Sequence, residues 1–397
     1  MEDLSSVRPI SDNPPMAHPV EIVESDAANP LQNTAPRVVR EQLALPGVDA
    51  APNGAGNVEI RSRRYLGGKA RLLPFLHRIV ATTCGPYASF ADLFAGTGVV
   101  AHSFNRPSVR VIANDFLAAN AVSLECWLGS PADPERVRNL IARLNETPGD
   151  EENYVSEQYG DRYFSGENAR KIGAIRDEID RMGLEGPIRA AALTSLIYAM
   201  DRVARTCGHY DAYRRRAVEE DAPATHDRPL KLLAPHVVDQ NNDANLILQD
   251  DANEVVRRIE ADLIYLDPPY NSRQYSDTYH VIENIVRNQK PELVGIARKP
   301  PGRPARSRYC GVEAEAAFED LIMHARCRWI LLSYNNMTAG DKRSNAILSD
   351  DRIREIMGRR GSVEVHRTEF NSFTAKRELI PGHEERVYVC QVRNDPA

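Results

Sequence analysis

The sequence lacks several features that would assign it to a specialised class of protein. No run approaches the roughly 18 apolar residues of a membrane span, so no contact with a membrane is expected. The six cysteines are scattered without a C-x-x-C pair, which argues against a metal site or a disulfide framework. This use of cysteine predicts that the protein is located in the reducing cytoplasm. The opening stretch MEDLSSVRPISDNPP has acids early and no apolar core, unlike a secretory signal.

An excess of positive charge is also lacking. The formal net charge is -6, which argues against a protein whose whole surface binds nucleic acid but is compatible with a local basic cleft. The length of 397 residues predicts roughly two to three domains.

Two kinds of pattern divide the chain. Residues 1–57 are rich in Pro, Ala, Asn and Asp, and we expect a disordered tail in which VVREQLAL could form a short helix. Beyond them, short apolar runs alternate with helical stretches, which predicts an α/β, doubly wound, Rossmann-like sheet. The predicted strands of this sheet are SFADLFAG, VRVIAND, NLILQDD, ADLIYLD and RWILLSYN. Near the C-terminus, SVEVHRTEF and ERVYVCQVR alternate apolar and polar residues and predict an antiparallel pair at one sheet edge.

The strand pattern is interrupted between residues 130 and 242, where helical spacing dominates. Ser165 is the expected N-cap of one helix there, and Gly183 its expected stop. An insertion of this size predicts a substrate-recognition domain. The catalytic domain would then comprise residues 58–129 and 243–397.

The segment SFADLFAGTGVVA predicts a strand, a tight glycine turn and a helix. Gly96 and Gly98 would allow close approach of a ligand to the backbone, and Asp115, at the end of the next strand, could bind ribose hydroxyls. The same spacing fits G-x-G-x-x-A, with Ala101 in the last place, so a dinucleotide site is an alternative. A second alternative is that this strand, turn and helix bind no ligand.

The stretch ADLIYLDPPYNSRQY ends a predicted core strand on an acid, two prolines and a tyrosine. Asp267 and the carbonyl group of Pro268 would offer two hydrogen-bond acceptors, Pro269 would stiffen the turn, and Tyr270 would add a stacking face. This set matches the amino edge of a flipped-out nucleobase, although a capped Pro-Pro turn has the same sequence.

These motifs together resemble the Dam-like, alpha-class adenine-specific DNA methyltransferases, and the FokI-type branch most closely. The similarity rests on RRYLGGKARLL, DLFAGTG, IAND, the helical insertion, MDRVARTCGHYDAY, DPPYNSRQYSDTYHVIENI and LLSYNN, in that order. The stretch after LLSYNN departs from the family pattern, because Asn336 and Met337 stand where a short acidic-glycine loop is expected.

The resemblance implies S-adenosylmethionine as cofactor. Its methionine and adenosine parts would be held by Tyr65, Lys69, Phe94 and the Gly96–Gly98 turn, with Asp92 near the methionine amino group. Asp115 would bind the ribose. Asp251 would bind the adenine amino group, although the sequence QDDAN around it is also typical of a turn. The methyl group would pass in line to the N6 atom of adenine in double-stranded DNA, with Asp267, Pro268, Pro269 and Tyr270 as the catalytic motif.

Two basic clusters are candidates for DNA contacts, although each could equally be a solvated loop. One lies in RKPPGRPARSRY, with Arg298, Lys299, Arg303, Arg306 and Arg308, and the other is Arg214 with Arg215. As partners we expect double-stranded DNA and, by resemblance, a cognate restriction endonuclease; a monomer or weak dimer is expected. The alternatives are an N4-cytosine DNA methyltransferase, a nicotinamide-dependent oxidoreductase and a non-enzymatic DNA-binding relic.

Overall fold

The computed structural model describes residues 57–63, 65–214, 228–237, 241–269, 271–302, 306–336, 348–369 and 384–393. The predictions for the N-terminal tail, for Tyr270, Arg215 and Arg303, and for the departure at Met337 therefore lie outside the described residues.

Nine strands occur in these residues. They are β1 (Asn57–Val58), β2 (Ser89–Asp92), β3 (Arg110–Asn114), β4 (Ala234–Pro235), β5 (Leu246–Leu248), β6 (Ala261–Leu266), β7 (Cys327–Asn336), β8 (Gly361–Glu369) and β9 (Glu384–Val392). Seven of them form one sheet in the order β5-β3-β2-β6-β7-β9-β8. Pairing is parallel from β5 to β7 and antiparallel for β7 with β9 and for β9 with β8. The predicted mostly parallel sheet with an antiparallel edge pair is confirmed.

Helices connect the strands. The α-helices among the described residues are α1 (Leu73–Ile79), α2 (Val99–Phe104), α3 (Ala118–Leu128), α4 (Pro134–Glu146), α5 (Tyr154–Tyr159), α6 (Gly166–Arg181), α7 (Gly186–Val203), α8 (Ala252–Val256), α9 (Tyr275–Thr278), α10 (His280–Arg287), α11 (Ala314–His324) and α12 (Asp350–Gly358). Short 3-10 segments lie at Ile60–Ser62, Ala70–Leu72 and Arg308–Cys310, and a π-helical turn at Val80–Cys84.

The two faces of the sheet bury two apolar layers, because successive side chains of a strand point to opposite faces. Phe90, Leu263 and Tyr265 belong to a layer that also contains residues of α1, α3 and α10. Ile264 and Leu266 belong to the other layer, which contains residues of α8, α11 and α12. Helices therefore cover both faces, as the continuous apolar strands predict.

The inserted segment is mainly helical in its described part and shares the first apolar layer with the sheet. Its helix α6 begins as predicted, since the side chain of Ser165 accepts a hydrogen bond from the backbone N–H of Asn168 at 3.2 Å. Gly183 follows α6 with φ +60°, a conformation that favours glycine and ends the helix. The sequence did not predict the short parallel pairing of β1 with β4, in which Val58 lies opposite Pro235.

Candidate active site

A cleft lies where the parallel strands end. The order of the strands reverses around β2 and β6, and such a switch point leaves a crevice at the carboxyl ends of the strands. The cleft encloses about 1000 Å³, including its open mouth. The residues predicted from the sequence that line it are Tyr65, Lys69, Asp92, Phe94, Gly96, Asp115, Asp251, Asp267 and Pro269.

The glycine turn between β2 and α2 has two left-handed residues with different roles. Gly96, with φ +55°, lines the cleft, and a Cβ atom there would lie 3.3 Å from the ring of Tyr65. Gly98, with φ +84°, faces the core instead, where a Cβ atom would lie 2.7 Å from Leu124. A side chain at Gly98 would therefore clash with the core beneath the turn. A side chain at Gly96 would crowd the ring of Tyr65 at the surface of the cleft.

Asp115 follows β3 and is fixed by hydrogen bonds within the chain. Its carboxylate accepts hydrogen bonds from the backbone N–H groups of Gly96 at 2.8 Å and Leu117 at 2.9 Å. The side-chain amide of Asn120 donates a third at 3.0 Å. Burial raises the pKa of Asp115 to about 6, although these hydrogen bonds oppose the increase. The carboxylate thus joins the glycine turn to the start of α3 at one wall of the cleft.

Asp92 carries a buried carboxylate at the end of β2. Among the described residues, its Oδ1 atom has no hydrogen-bond partner. Burial and the negative charge of Asp267 raise the pKa of Asp92 well above its ordinary value. An unpartnered carboxylate oxygen in a cleft suits a cationic donor such as an ammonium group, since a buried polar atom without a partner costs free energy.

Asp267 follows β6, and its Oδ1 atom lies 3.1 Å from the Nζ atom of Lys69. Burial raises the pKa of Asp267, while the positive charge of Lys69 lowers it. Asp92 and Asp267 lie at adjacent strand ends, because β2 pairs directly with β6. The two carboxylates thus repel each other, and the ammonium group of Lys69 stabilises the ionised form of Asp267.

Tyr65 is held in a stack of aromatic rings. Its ring is stacked on that of Tyr279, with centroids 4.4 Å apart, and lies 5.6 Å from that of Tyr275. Its hydroxyl group accepts a hydrogen bond from the side-chain amide of Asn120 at 2.9 Å. The guanidinium group of Arg63 lies 5.3 Å from the ring centroid, a cation–π distance. The ring is therefore fixed where it covers Gly96.

A buried network connects this wall of the cleft to the inserted helices. Arg63 donates hydrogen bonds to Asn120 at 2.8 Å and to Asp201, at the end of α7, at 3.2 Å. The Tyr210 hydroxyl group donates to the other oxygen of Asp201 at 2.9 Å. Asn120 thus links Asp115 to residues of the segment MDRVARTCGHYDAY. Asn120 was missed by the sequence analysis because a single helical asparagine carries no motif.

Asp251 caps the N-terminus of α8, since its side chain accepts a hydrogen bond from the N–H of Asn253 at 2.8 Å. Its carboxylate also lies 3.3 Å from Arg308 of the predicted DNA-binding loop. Gln274 holds the same loop through reciprocal hydrogen bonds with the backbone of Ser307, at 2.8 and 3.0 Å. The end of the basic loop is thus fixed beside the cleft.

The other predicted DNA-binding residues differ in their surroundings. Lys299 lies 3.7 Å from Asp211 and 4.0 Å from Asp277, so its charge is partly balanced. Arg214 is exposed, and its Nε atom donates to the thiol sulfur of Cys207 at 3.4 Å. Arg306 is exposed, and Arg298 is half-buried with φ +51°. None of these residues lines the cleft, but the loop brings Arg306 near Ser307 at its rim.

Three remaining features concern cysteine, metal ligands and membrane-spanning helices. All six thiols are free. The described residues hold no cluster of His, Cys, Asp and Glu side chains suited to a metal ion. Within the same residues, every helix is too short or too polar to cross a membrane.

Comparison with known proteins agrees with the geometry of the cleft. Residues 65–311 match the family described as D12 class N6 adenine-specific DNA methyltransferase. The chain is 30% identical to the type II methyltransferase M.NlaIII of Neisseria lactamica, over 80% of this chain and 95% of that protein. It is 30% identical to the modification methylase StsI of Streptococcus sanguinis and 29% identical to the type II methyltransferase M.FokI of Planomicrobium okeanokoites. Those two alignments cover 79% and 77% of this chain, and 49% and 48% of the relatives.

Proposed function

The chain belongs to the D12 class of N6 adenine-specific DNA methyltransferases, and we propose that S-adenosylmethionine is its methyl donor and Asp267 its catalytic carboxylate. The family resemblance read from the sequence is confirmed, and so is the adenine specificity. The alternatives of an N4-cytosine methyltransferase, a nicotinamide-dependent oxidoreductase and a non-enzymatic relic are therefore wrong. The spacing G-x-G-x-x-A does not separate a methyltransferase from a dinucleotide-binding protein, because both use a glycine turn after a strand.

The chemistry of the cleft fits this cofactor. The Oδ1 atom of Asp92, which has no hydrogen-bond partner among the described residues, suits the ammonium group of the methionine part. Tyr65, Phe94 and Gly96 line the cleft and would form the wall for the remainder. Asp115 would bind the ribose, and Asp251 would bind the adenine amino group. Lys69 lies against Asp267, so any contact that it makes with the methionine carboxylate is shared with the catalytic site. When bound, S-adenosylmethionine supplies a methyl group on a sulfonium centre that needs no further activation.

The protein's part in the reaction is to make the adenine amino group a better nucleophile. The lone pair of that nitrogen is delocalised into the ring. Asp267 and the Pro268 carbonyl group would accept its two hydrogens, which localises the lone pair, and the carboxylate would oppose the positive charge that develops on nitrogen. Once the nitrogen carries the methyl group, Asp267 would take up the proton that the nitrogen releases. The remaining contribution is in-line alignment.

The adenine would have to leave the DNA duplex to reach Asp267. Tyr270 would stack on the extruded base, a contact worth roughly 1–3 kcal/mol. The helical segment 130–242 would read the target sequence, and Arg214, Arg215, Arg298, Lys299, Arg303, Arg306 and Arg308 would contact phosphates. A cognate endonuclease as partner and a monomer or weak dimer remain predictions.

The observation that carries this proposal is the position of Asp267 at the strand end beside β2, in the same cleft as the unpartnered oxygen of Asp92. We expect Asp267→Ala to abolish methyl transfer while binding of S-adenosylhomocysteine is retained. The test combines a tritiated-methyl assay on DNA with calorimetric titration, and Asp243→Ala, at an exposed site, is the matched control. Methyl transfer by Asp267→Ala at the wild-type rate would refute the role of Asp267.

A further inference from the structure

Glu385 is a buried acid close to the catalytic site that no recognised motif includes. It is the second residue of β9, and only 4% of its surface is exposed. On one side it lies opposite Asn335 of β7, and on the other opposite Thr368 of β8. Because β7 is parallel to β6 and antiparallel to β9, the first residues of β9 lie at the same end of the sheet as the last residues of β6.

Strand register places Glu385 on the same face as Asp267. Tyr265 donates a hydrogen bond to Ser333 across β6 and β7 at 2.9 Å, so these two side chains share a face. Ser333 lies opposite Val387. Asp267 and Glu385 are each two residues nearer this edge than Tyr265 and Val387, and side chains two apart on a strand share a face. Asp267 and Glu385 are thus separated only by β7.

The charges around Glu385 agree with this placement. Burial raises the pKa of Glu385, the positive charge of Lys69 lowers it, and the negative charge of Asp267 raises it. The same Lys69 lowers the pKa of Asp267. Its ammonium group therefore lies within electrostatic reach of two carboxylates. Within the described part of the chain, the Oε2 atom of Glu385 is buried and has no hydrogen-bond partner.

The ion pair between Lys69 and Asp267 presents a conflict for catalysis. The Oδ1 atom of Asp267 lies 3.1 Å from Lys69, but a carboxylate oxygen of Asp267 must accept a hydrogen of the adenine amino group. A cation that stays against this oxygen competes with the amino group for it. Glu385 lies on the side of Asp267 away from Asp92, because β7 and β9 follow β6 on the side opposite β2. Glu385 therefore lies on the opposite side of Asp267 from the residues proposed to bind the cofactor.

We propose that Glu385 is a positioning residue that acts through Lys69. Its carboxylate is a second anionic partner for the Lys69 ammonium group, which it draws away from Oδ1 of Asp267 when the target amino group arrives. Lys69 then still offsets the charge of Asp267 but no longer occupies its acceptor oxygen. This inference rests on the proposed role of Asp267, and it assigns a function to a residue of the antiparallel strand β9.

The role requires the ionised form of Glu385. Among the described residues, the charged groups that act on Glu385 are Lys69 and Asp267. In the sheet, Asn335 of β7 and Thr368 of β8 are its register partners. His366 lies on the same face two residues along β8, where burial lowers its pKa and the carboxylate of Glu364 opposes this. As the pH falls, protonation of Glu385 removes the second anion. A protonated Glu385 then resembles glutamine.

The test compares Glu385→Gln with Glu384→Gln, a neighbouring acid on β9 whose carboxylate lies 3.4 Å from Arg386. Single-turnover rates of tritiated methyl transfer from S-adenosylmethionine to adenine-unmethylated genomic DNA are measured from about pH 5.5 to about pH 8.5. We expect Glu385→Gln to be at least about tenfold slower at the high end. The ratio of the wild-type rate to the Glu385→Gln rate should approach one as the pH falls.

Two control variants and two control measurements make the result specific. Glu384→Gln should match wild type at every pH, and Glu385→Asp, which keeps the charge, should recover part of the rate at high pH. The Kd for S-adenosylhomocysteine and the thermal melting temperature of Glu385→Gln should stay close to those of wild type. A Glu385→Gln rate equal to wild type, or slower by the same factor at every pH, would overturn the inference. Absence of adenine methylation by wild-type protein would instead contradict the proposed function.

Discussion

The ammonium group of Lys69 and the carboxylate of Asp267 form an ion pair, with Nζ 3.1 Å from Oδ1. The pair joins the segment RRYLGGKARLL, before the sheet begins, to the end of β6, almost two hundred residues later. It sets the charge of the site, because burial alone favours the protonated form of Asp267 and Lys69 opposes this. The neighbouring cation thus favours the ionised form, which the proposed role of Asp267 requires.

Replacement of this lysine should therefore change the pH dependence of methyl transfer. In Lys69→Met the pKa of Asp267 is expected to rise further, so the acid limb of the rate profile moves to higher pH. The measurement is the single-turnover rate against pH at saturating cofactor. Lys290→Met, at a lysine paired with Asp177, is the control. An acid limb at the wild-type position would show that Lys69 does not set the charge of Asp267.

Asp115 should make the folded protein less stable as the pH rises. Burial raises its pKa from the ordinary 3.8 to about 6 in the folded state, so the folded protein binds the proton more tightly than the unfolded chain does. The stability that this provides is complete below about pH 4 and is lost as the pH rises to about 6. Between about pH 4 and about pH 6, wild type should therefore lose roughly 2 kcal/mol of free energy of unfolding relative to Asp115→Asn. Urea unfolding of both proteins measures it, and a constant difference would contradict the assignment.

The two glycines Gly98 and Gly183 should differ in their tolerance of alanine. Both have positive φ, but a Cβ atom at Gly98 would lie 2.7 Å from Leu124, whereas at Gly183 nothing lies within 4 Å. Gly183→Ala should cost about 1–2 kcal/mol from backbone strain alone. Gly98→Ala should cost about 1–3 kcal/mol more, because Leu124 must move within the core. Equal losses in chemical unfolding would show that the core beneath the glycine turn adapts.

The basic loop offers a paired comparison of arginines for DNA binding. Arg306 is exposed, whereas Arg308 lies 3.3 Å from Asp251. Arg306→Ala should lower the slope of log K against log salt by about one, as expected for the loss of one phosphate contact. Arg308→Ala should change the slope less, because Asp251 already balances much of its charge. Binding titrations at several salt concentrations test this, and an unchanged slope for Arg306→Ala would exclude its contact with phosphate.

The sequence by itself determined the succession of strands and helices along the chain. It also determined the strand ends at which ligands are expected. These features are local: a continuous apolar run predicts a strand covered on both faces, and the glycines after β2 and the prolines after β6 fix the turns that follow. The cap at Ser165, the stop at Gly183 and the antiparallel pair β8 and β9 were predicted for the same reason. Each depends on residues close together in the chain.

Only the tertiary structure decided which distant side chains meet. It paired Lys69 with Asp267 and Arg308 with Asp251, although the sequence suggested the cofactor as partner of Lys69 and DNA as partner of Arg308. It also brought Asn120 to Asp115, and placed Glu385 at the same edge of the sheet as Asp267. Such contacts depend on the order and register of strands that are far apart in sequence, and no local pattern of residues encodes them.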